Sequence, residues 1–355
     1  MSPKNRQVIL TSNPKGQFSP ENFQLRDAPI PSPGDGQFLL RNLYLSLDPA
    51  MRIWAAPVDG YAPPVRPGDL MRGFTVSQVL ESNHPDFKVG DIVNGMDGWQ
   101  DYAVSDGVNY NTDGLVDTWN LKNIQAAGLP ISTGLSVLGT TGLTAYHGMV
   151  HVGKVGQGDT VLVSGAAGAV GSVAGQIARL KGAKRVVGIA GSKEKCELLT
   201  NEFGYDAAIN YKEEDLVEAF ARECPGGIDL FFDNVGGDTL NAALINLAMH
   251  GRVVLSGAIS QYTHLEQGAA GPSAYLNLML KRGWMAGFVV LDHYPDLRGK
   301  MEAELIGWIK AGQLNYRDEE VDGLESAITA VNRLYQGTNM GKLVVKIADQ
   351  ISRVS

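Results

Sequence analysis

The sequence predicts an α/β chain in which a doubly wound parallel sheet is inserted into a smaller β-rich region. Two observations carry that expectation. From about residue 133, unbroken apolar runs alternate with helical segments. TVLVSGA (160–166), RVVGIAG (185–191), DAAIN (206–210), DLFFDNVG (229–236), RVVLSGA (252–258) and MAGFVV (285–290) read as strands. VGSVAGQIARLKG, SKEKCELLTNEFG, DTLNAALINLA and AYLNLMLKRG between them read as helices. Strands buried on both faces lose the apolar–polar alternation of a half-exposed sheet, and helical returns bring the chain back parallel.

Residues 1–132 read differently. RQVILTSN (6–13), QFLLRNLYLSL (37–47), TVSQVLESN (75–83) and DIVNGMDGWQDYAV (91–104) are β-like, and Pro31, Pro33, Gly34, Pro63, Pro64, Pro67 and Gly68 punctuate them. Short strands at this spacing, without helices between them, predict a small barrel or sandwich. After a helical stretch at MEAELIGWIKAGQL (301–314), the polar run Arg317–Glu320 and KLVVKIA (342–348) are expected to rejoin that first region. The predicted domains are therefore 1–132 with 306–355, and 133–305.

Composition narrows the function. Hydrophobic residues make up 44% of the 355 and charged residues 19%, which fits a folded chain with a sizeable core and excludes a disordered one. The net charge of -8 disfavours a nucleic-acid partner, because an acidic surface repels phosphate backbones. Cys196 and Cys224 are the only cysteines, too few for a disulfide framework or a four-cysteine zinc site, and they fit a reducing cytoplasm. The start MSPKNRQVILTSNPKG has no signal-like apolar stretch and no run is long enough to span a bilayer, so no membrane role is expected.

The strongest local motif is Ser164-Gly165-Ala166-Ala167-Gly168-Ala169-Val170-Gly171, between a strand and a helix. It varies the G-x-G-x-x-G pattern, with Ala166 at the first glycine. Gly168 lets backbone approach a pyrophosphate, Gly171 lets helix and strand pack closely, and the helix start presents free N–H groups to the phosphates. A site for NAD needs Asp or Glu at the end of the next strand to bind the ribose 2′-hydroxyl. Here that strand ends Ala190-Gly191-Ser192-Lys193-Glu194-Lys195. The missing acid and the two lysines point to the 2′-phosphate of NADPH. The plainer alternative is a solvated helix start with Ser192 as its N-cap.

A zinc alcohol dehydrogenase polarises its substrate with Cys and His ligands. Neither cysteine lies in the first region, and of the six histidines only His147 and His151 are close in sequence. That pair is expected on a helix surface, with no metal.

Motifs spread over about 340 residues resemble one family. They are Tyr44-Leu45-Ser46-Leu47-Asp48-Pro49 with Met51-Arg52, the run 81–91, Gly98-Trp99, Leu138-Gly139, Gly142-Leu143-Thr144-Ala145-Tyr146, residues 166–172, Asp233-Asn234-Val235-Gly236-Gly237, Gly257 to Tyr262, and Asn339-x-Gly341-Lys342. The chain resembles the zinc-independent medium-chain dehydrogenase/reductases, in the group of prostaglandin reductases, alkenal double-bond reductases and curcumin reductase.

The resemblance implies a GroES-like β domain with an inserted Rossmann domain, a homodimer, and NADPH-dependent reduction of the carbon–carbon double bond of enones and enals. By position it implies cofactor contacts at Gly168, Ala169, Val170, Gly171 and Ser172 for the pyrophosphate. Ser192, Lys195 and Tyr211 fall near the 2′-phosphate. Asn234, Ser256, Gly257, Ala258, Ile259, Ser260 and Tyr262 fall on the nicotinamide side, and Phe288, Val289, Val290 and Asn339 complete that pocket.

Hydride delivery to the β-carbon leaves an enolate, so a donor must face the carbonyl oxygen. Tyr262 matches the family tyrosine expected there, and either it or water supplies the proton to the α-carbon. Tyr61 and Arg52 are substrate-side candidates, with fixing of the turn through Asp48 the favoured role for Arg52. Ala50 stands where the family commonly has tyrosine, which implies an altered pocket, and Thr140-Thr141 is a smaller departure. Quinone reduction or alcohol oxidation on the same scaffold is the alternative chemistry, and a non-catalytic crystallin-like NADPH-binding protein the alternative class.

Overall fold

The computed structural model describes residues 4–58, 60–108, 116–268 and 271–351. The chain divides into two compact units, 1–136 with 318–355, and 137–317. The crossings thus fall at 136/137 and 317/318, where the sequence reading had 132/133 and 305/306.

In chain order the first unit contributes β1 (Lys4–Leu10), β2 (Phe23–Pro29), β3 (Phe38–Ser46), α1 (Met51–Trp54), β4 (Thr75–Ser82), β5 (Ile92–Gly95), β6 (Tyr102–Ser105), β7 (Trp119–Asn120) and α2 (Lys122–Ala126). The second contributes α3 (Thr140–Tyr146), which runs into a π-helical turn (His147–Val152). Then follow β8 (Thr160–Val163), α4 (Ala169–Leu180), β9 (Arg185–Ala190), α5 (Lys193–Asn201), β10 (Ala207–Asn210), α6 (Leu216–Glu223), β11 (Ile228–Asp233) and α7 (Gly237–Ile245). β12 (Leu247–Leu255), α8 (Leu276–Lys281), β13 (Trp284–Gly287) and α9 (Tyr294–Lys310) close that unit, and β14 (Asp318–Asp322) and β15 (Lys342–Lys346) return to the first.

In the first unit, β1 and β2 pair antiparallel from Lys4↔Pro29 to Leu10↔Phe23. The larger sheet has the order β14-β15-β3-β4-β5-β7, and β6 also pairs with β3. β3 is central because seven of its nine residues are buried. Phe38 and Leu40 on β3 pack with Val79, Val93 and Ala103. The sheet is mixed, since β14 and β15 run parallel while β3, β4, β5 and β6 pair antiparallel.

In the second unit, six strands form a wholly parallel sheet in the order β10-β9-β8-β11-β12-β13. Its core gathers Leu162, Val187, Phe231 and Val253 from the strands and Phe220, Leu240 and Leu244 from the helices. The expected doubly wound architecture is therefore present.

Several boundaries differ from the sequence reading. α7 stops at Ile245, because Leu247 and Ala248 already belong to β12. The strand expected over 285–290 ends at Gly287, and Val290–His293 is a 3-10 turn. α9 begins seven residues before Met301, with Pro295 in its first turn, where proline costs nothing. The helix Thr140–Tyr146 was not expected as an element, and the helix expected around His147 and His151 is its π-helical extension.

Candidate active site

Parallel sheets bind ligands beyond the carboxyl ends of their strands, where the strand order reverses. The chain moves outward from β8 through β9 to β10, then returns to place β11 on the other side of β8. The switch point therefore lies between β8 and β11, and the loops after these strands are Ser164–Gly168 and Asn234–Gly236.

The first loop is built for close backbone approach. Gly165 has φ +57°, and its carbonyl accepts from the Gly168 N–H at 3.0 Å. A Cβ on Gly171 would lie 2.4 Å from the Gly165 oxygen and 2.7 Å from Ala166 Cα, so only glycine lets α4 start this close to the strand. Gly168 is the N-cap of α4, and no side chain caps this helix start. Tyr205 Oη donates to the Gly171 carbonyl at 2.6 Å and fixes the first turn from below.

Asp233, which the sequence reading passed over as a site residue, joins the two loops. It is fully buried at the end of β11. It accepts from Ser164 Oγ at 2.7 Å, from the Val235 N–H at 2.9 Å and from the Gly236 N–H at 3.1 Å. Burial pushes its carboxyl up and these hydrogen bonds pull it down. Asn234 Nδ2 donates to the Ser164 carbonyl at 2.7 Å, a second bridge between the loops. The signal for this hub was present: a strand-end Asp followed three and four residues later by Gly236 and Gly237, both at positive φ.

The loop after β12 folds back on the same hub. The N–H groups of Ser256 and Gly257 donate to the Asp233 carbonyl at 2.8 and 3.0 Å, and those of Ile259 and Ser260 to Asn234 and Val235, each at 3.2 Å. Tyr262 lies in the 3-10 segment that follows, and its hydroxyl oxygen accepts from the Ala258 N–H at 3.0 Å. Burial raises the Tyr262 pKa and that N–H lowers it, with a net upward direction. The phenol therefore keeps its proton at neutral pH.

At the end of β9, Ser192 caps α5, accepting from the Lys195 N–H at 3.3 Å. Ser192 is thus the N-cap of the plainer reading, and Lys193 and Lys195 lie in the first turn that it caps. The Tyr211 ring, half exposed, lies against Gly191, whose Cβ would come within 2.7 Å of it. Phe288 and Val289 precede the turn that begins with buried Val290. The His147–His151 pair is not a helix surface: His147 is buried and His151 exposed.

In the first unit, Ala50 is the N-cap of α1. Arg52 is wholly buried, and its Nε and NH2 donate to the carbonyls of Gly16 at 2.6 Å and Pro14 at 2.8 Å. It ties the 14–16 segment to α1. The turn before α1 is held by Asp48, which accepts from Ser46 and from Lys342 Nζ, the latter at 2.6 Å. Lys342 is a second residue the sequence reading left without a role. Tyr61 is 38% exposed, and its hydroxyl accepts from Trp54 Nε1 at 3.1 Å. Asn339 Nδ2 donates to the Gly341 carbonyl at 3.1 Å.

Comparison with known proteins places this geometry. A family profile described as the N-terminal domain of oxidoreductase matches residues 6–112, and one described as zinc-binding dehydrogenase matches 169–306. The NADPH-dependent curcumin reductase of Escherichia coli is 40% identical over 348 residues, 97% of each chain. The NADP(+)-dependent 2-alkenal reductase of Nicotiana tabacum is 41% identical, covering 97% of this chain and 98% of its own. CurA of Vibrio vulnificus in complex with NADPH matches with TM-score 0.87 at 41% identity, over 97% of this chain and 99% of that one.

This chain belongs to the zinc-independent medium-chain dehydrogenase/reductases. The β-rich unit is the GroES-like part of that family fold and the parallel sheet its Rossmann part. One profile's description mentions zinc, but among the described residues no three His, Cys, Asp or Glu side chains are grouped so as to hold a metal ion. The residues present do not fit a catalytic zinc. Nor is any helix among them long and apolar enough to cross a membrane.

Proposed function

We propose that this medium-chain reductase reduces the carbon–carbon double bond of α,β-unsaturated ketones and aldehydes with NADPH. The observation that carries the reading is the Gly165–Gly171 turn at the switch point, with Ser192 and Lys195 where an NAD site would carry an acid. Full-length relatives named as curcumin and 2-alkenal reductases support it. The close approach at Gly171 and the uncapped start of α4 fit a pyrophosphate there.

When bound, the nicotinamide supplies a hydride to the β-carbon. The chain's own groups do the rest. Gly168, Ala169, Val170, Gly171 and Ser172 hold the pyrophosphate, and Lys195 with Tyr211 holds the 2′-phosphate. Asn234 and the Ser256–Tyr262 run, braced on Asp233, orient the nicotinamide end together with Phe288, Val289 and Val290. Because the Ala258 N–H occupies the Tyr262 oxygen as acceptor, the Tyr262 O–H is left to donate. It donates to the substrate carbonyl oxygen as negative charge develops. Tyr262 or water then protonates the α-carbon. Tyr61 and Ala50 serve the substrate side, while Arg52 shapes that region through its ties to Pro14 and Gly16.

We also propose a homodimer working in the cytoplasm. β13 is the outer strand of the parallel sheet among the described residues, and Tyr275, Leu276, Met279 and Leu280, at and in the helix that packs on the adjoining β12, are each more than half exposed. An open strand edge with an apolar helix next to it calls for a partner, and a two-fold pairing of like edges covers both. Sedimentation equilibrium should return twice the chain mass; a monomer would refute the pairing. Two unpaired cysteines suit a reducing compartment.

The functional test follows NADPH absorbance over a panel of enones, alkenals, quinones and alcohols. Turnover is expected with enones and alkenals. A rate with quinones alone would move the enzyme to the alternative chemistry, and no turnover with any enone would overturn the proposal.

A further inference from the structure

α3 and the π-helical turn that continues it hold the segment Phe288–Tyr294 at three points. Tyr294 Oη donates to Thr140 Oγ1 at 2.8 Å. The His147 ring stacks on that of His293, with centroids 4.1 Å apart and planes 19° from parallel. The same His147 ring lies 5.4 Å from the Phe288 ring. Beside it, a Cβ on Gly148 would come within 2.7 Å of both Phe288 and Phe232, so glycine is what lets Phe288 lie against the helix.

His147 is an unusual choice for this position. It is 4% exposed, and its Nδ1 has no hydrogen-bond partner among the described residues. A buried polar atom left in that state is unfavourable, and such atoms in a native fold call for a reason. Burial, with His293 and His151 nearby, brings its pKa down to about 4, so the ring is neutral at physiological pH. A neutral imidazole stacks on a second aromatic ring without charge repulsion. Thr140, a departure from the family pattern in the sequence, acquires a role as the anchor of Tyr294.

We propose that His147, assisted by Thr140, is a positioning residue for hydride transfer: its stack with His293 fixes Phe288–Val290, and through them the nicotinamide. The inference rests on the NADPH reading above for the identity of what is positioned. His147→Ala should lower kcat with an enone about tenfold, since small misplacements at a reacting centre are expensive. NADPH affinity, measured by fluorescence titration, should change less than about threefold, because the contacts assigned to the phosphates are untouched. His147→Phe keeps a stacking ring and should retain kcat within about threefold.

Thermal melting checks that His147→Ala is folded. Should it fail to fold, Tyr294→Phe, which deletes only the hydroxyl on Thr140, is expected to lower kcat in the same sense by a smaller factor. Nuclear magnetic resonance of the unliganded protein gives a readout that needs no turnover. The His293 ring protons should lose their ring-current shift in His147→Ala and keep it in His147→Phe.

An unchanged kcat in folded His147→Ala, an unchanged kcat in Tyr294→Phe where that variant stands in, or His147→Phe as slow as His147→Ala, would overturn the proposal. So would an unmoved His293 signal in His147→Ala. Absence of wild-type enone turnover would defeat the functional reading instead, and the His293 signal would still decide whether the stack forms.

Discussion

At the carboxyl ends of β8 and β11 the second unit keeps its side chains small and its helix start uncapped, while the first unit ties its turns down with buried charge. In the second, Gly165, Gly168 and Gly171 bring backbone to the surface of the switch point, and the polar work is done by Asp233 beneath them. In the first, Lys342 holds Asp48, and Arg52 holds two carbonyls, each cation almost fully buried. A site that must receive a large anionic cofactor leaves donors unspent. A frame that must hold loops of irregular backbone turns its buried cations onto carbonyls and a carboxylate.

The sharpest way to break this comparison is to remove the first unit's cation. Lys342→Ala leaves Asp48 buried with Ser46 as its remaining side-chain partner among the described residues. Taking one partner from a buried pair costs about 3–5 kcal/mol, because the remaining charge is uncompensated. Urea unfolding should show that loss. A cost under about 1 kcal/mol would mean the pair is no more than a surface-type contact and would erase the contrast between the units.

A second buried carboxyl sharpens it. Asp97 is buried in the first unit, accepting from Thr75 Oγ1 at 2.6 Å with Ser77 at 3.4 Å, and no cation contributes to its environment. Burial lifts its pKa from 3.8 to about 6. The folded state therefore holds a proton that the unfolded chain has released between these values. Its contribution to stability falls as pH rises from about 4 to 6, by at most about 3 kcal/mol. Asp97→Asn should match wild type near pH 4 and exceed it in relative stability at pH 7. A difference that stays constant with pH would show that Asp97 is ionised freely in the fold.

How much of this was legible follows the same division. The parallel unit announces itself locally: TVLVSGA then AAGAVGS is a strand, a turn and a helix within about fifteen residues, and each crossover repeats the signal. Its misread boundaries came where apolar runs serve either element, as in Leu247-Ala248, which continue α7 in pattern but pair in β12. The first unit is held by contacts remote in sequence. Lys342 and Asp48 stand 294 residues apart, and nothing near either one announces the other. Arg52 was expected to fix the turn through Asp48, four residues away, whereas it donates to two carbonyls on the 14–16 segment. Local periodicity cannot see such closures. The buried state of His147 was equally hidden, because the i,i+4 spacing with His151 suggested a solvated face and the burial comes from the turn at 290–293.

The smallest predicted effect tests the open half of the comparison. Ser192 accepts an N–H as the cap of α5, and the charge expected to discriminate between the two nicotinamide cofactors is that of Lys195, with Tyr211 packed over Gly191. A lysine facing a phosphate makes a charge-assisted bond that an adenosine lacking the phosphate cannot offer. Lys195→Ala should raise the KM for NADPH about tenfold, equivalent to about 1.4 kcal/mol, and change that for NADH less than about twofold. The sign is what matters: lost affinity confined to the phosphorylated cofactor places the lysine at the 2′-phosphate. An equal rise for both would mean the side chain only steadies the start of α5, and the choice of NADPH would have to come from Tyr211 or from the absence of an acid at Gly191.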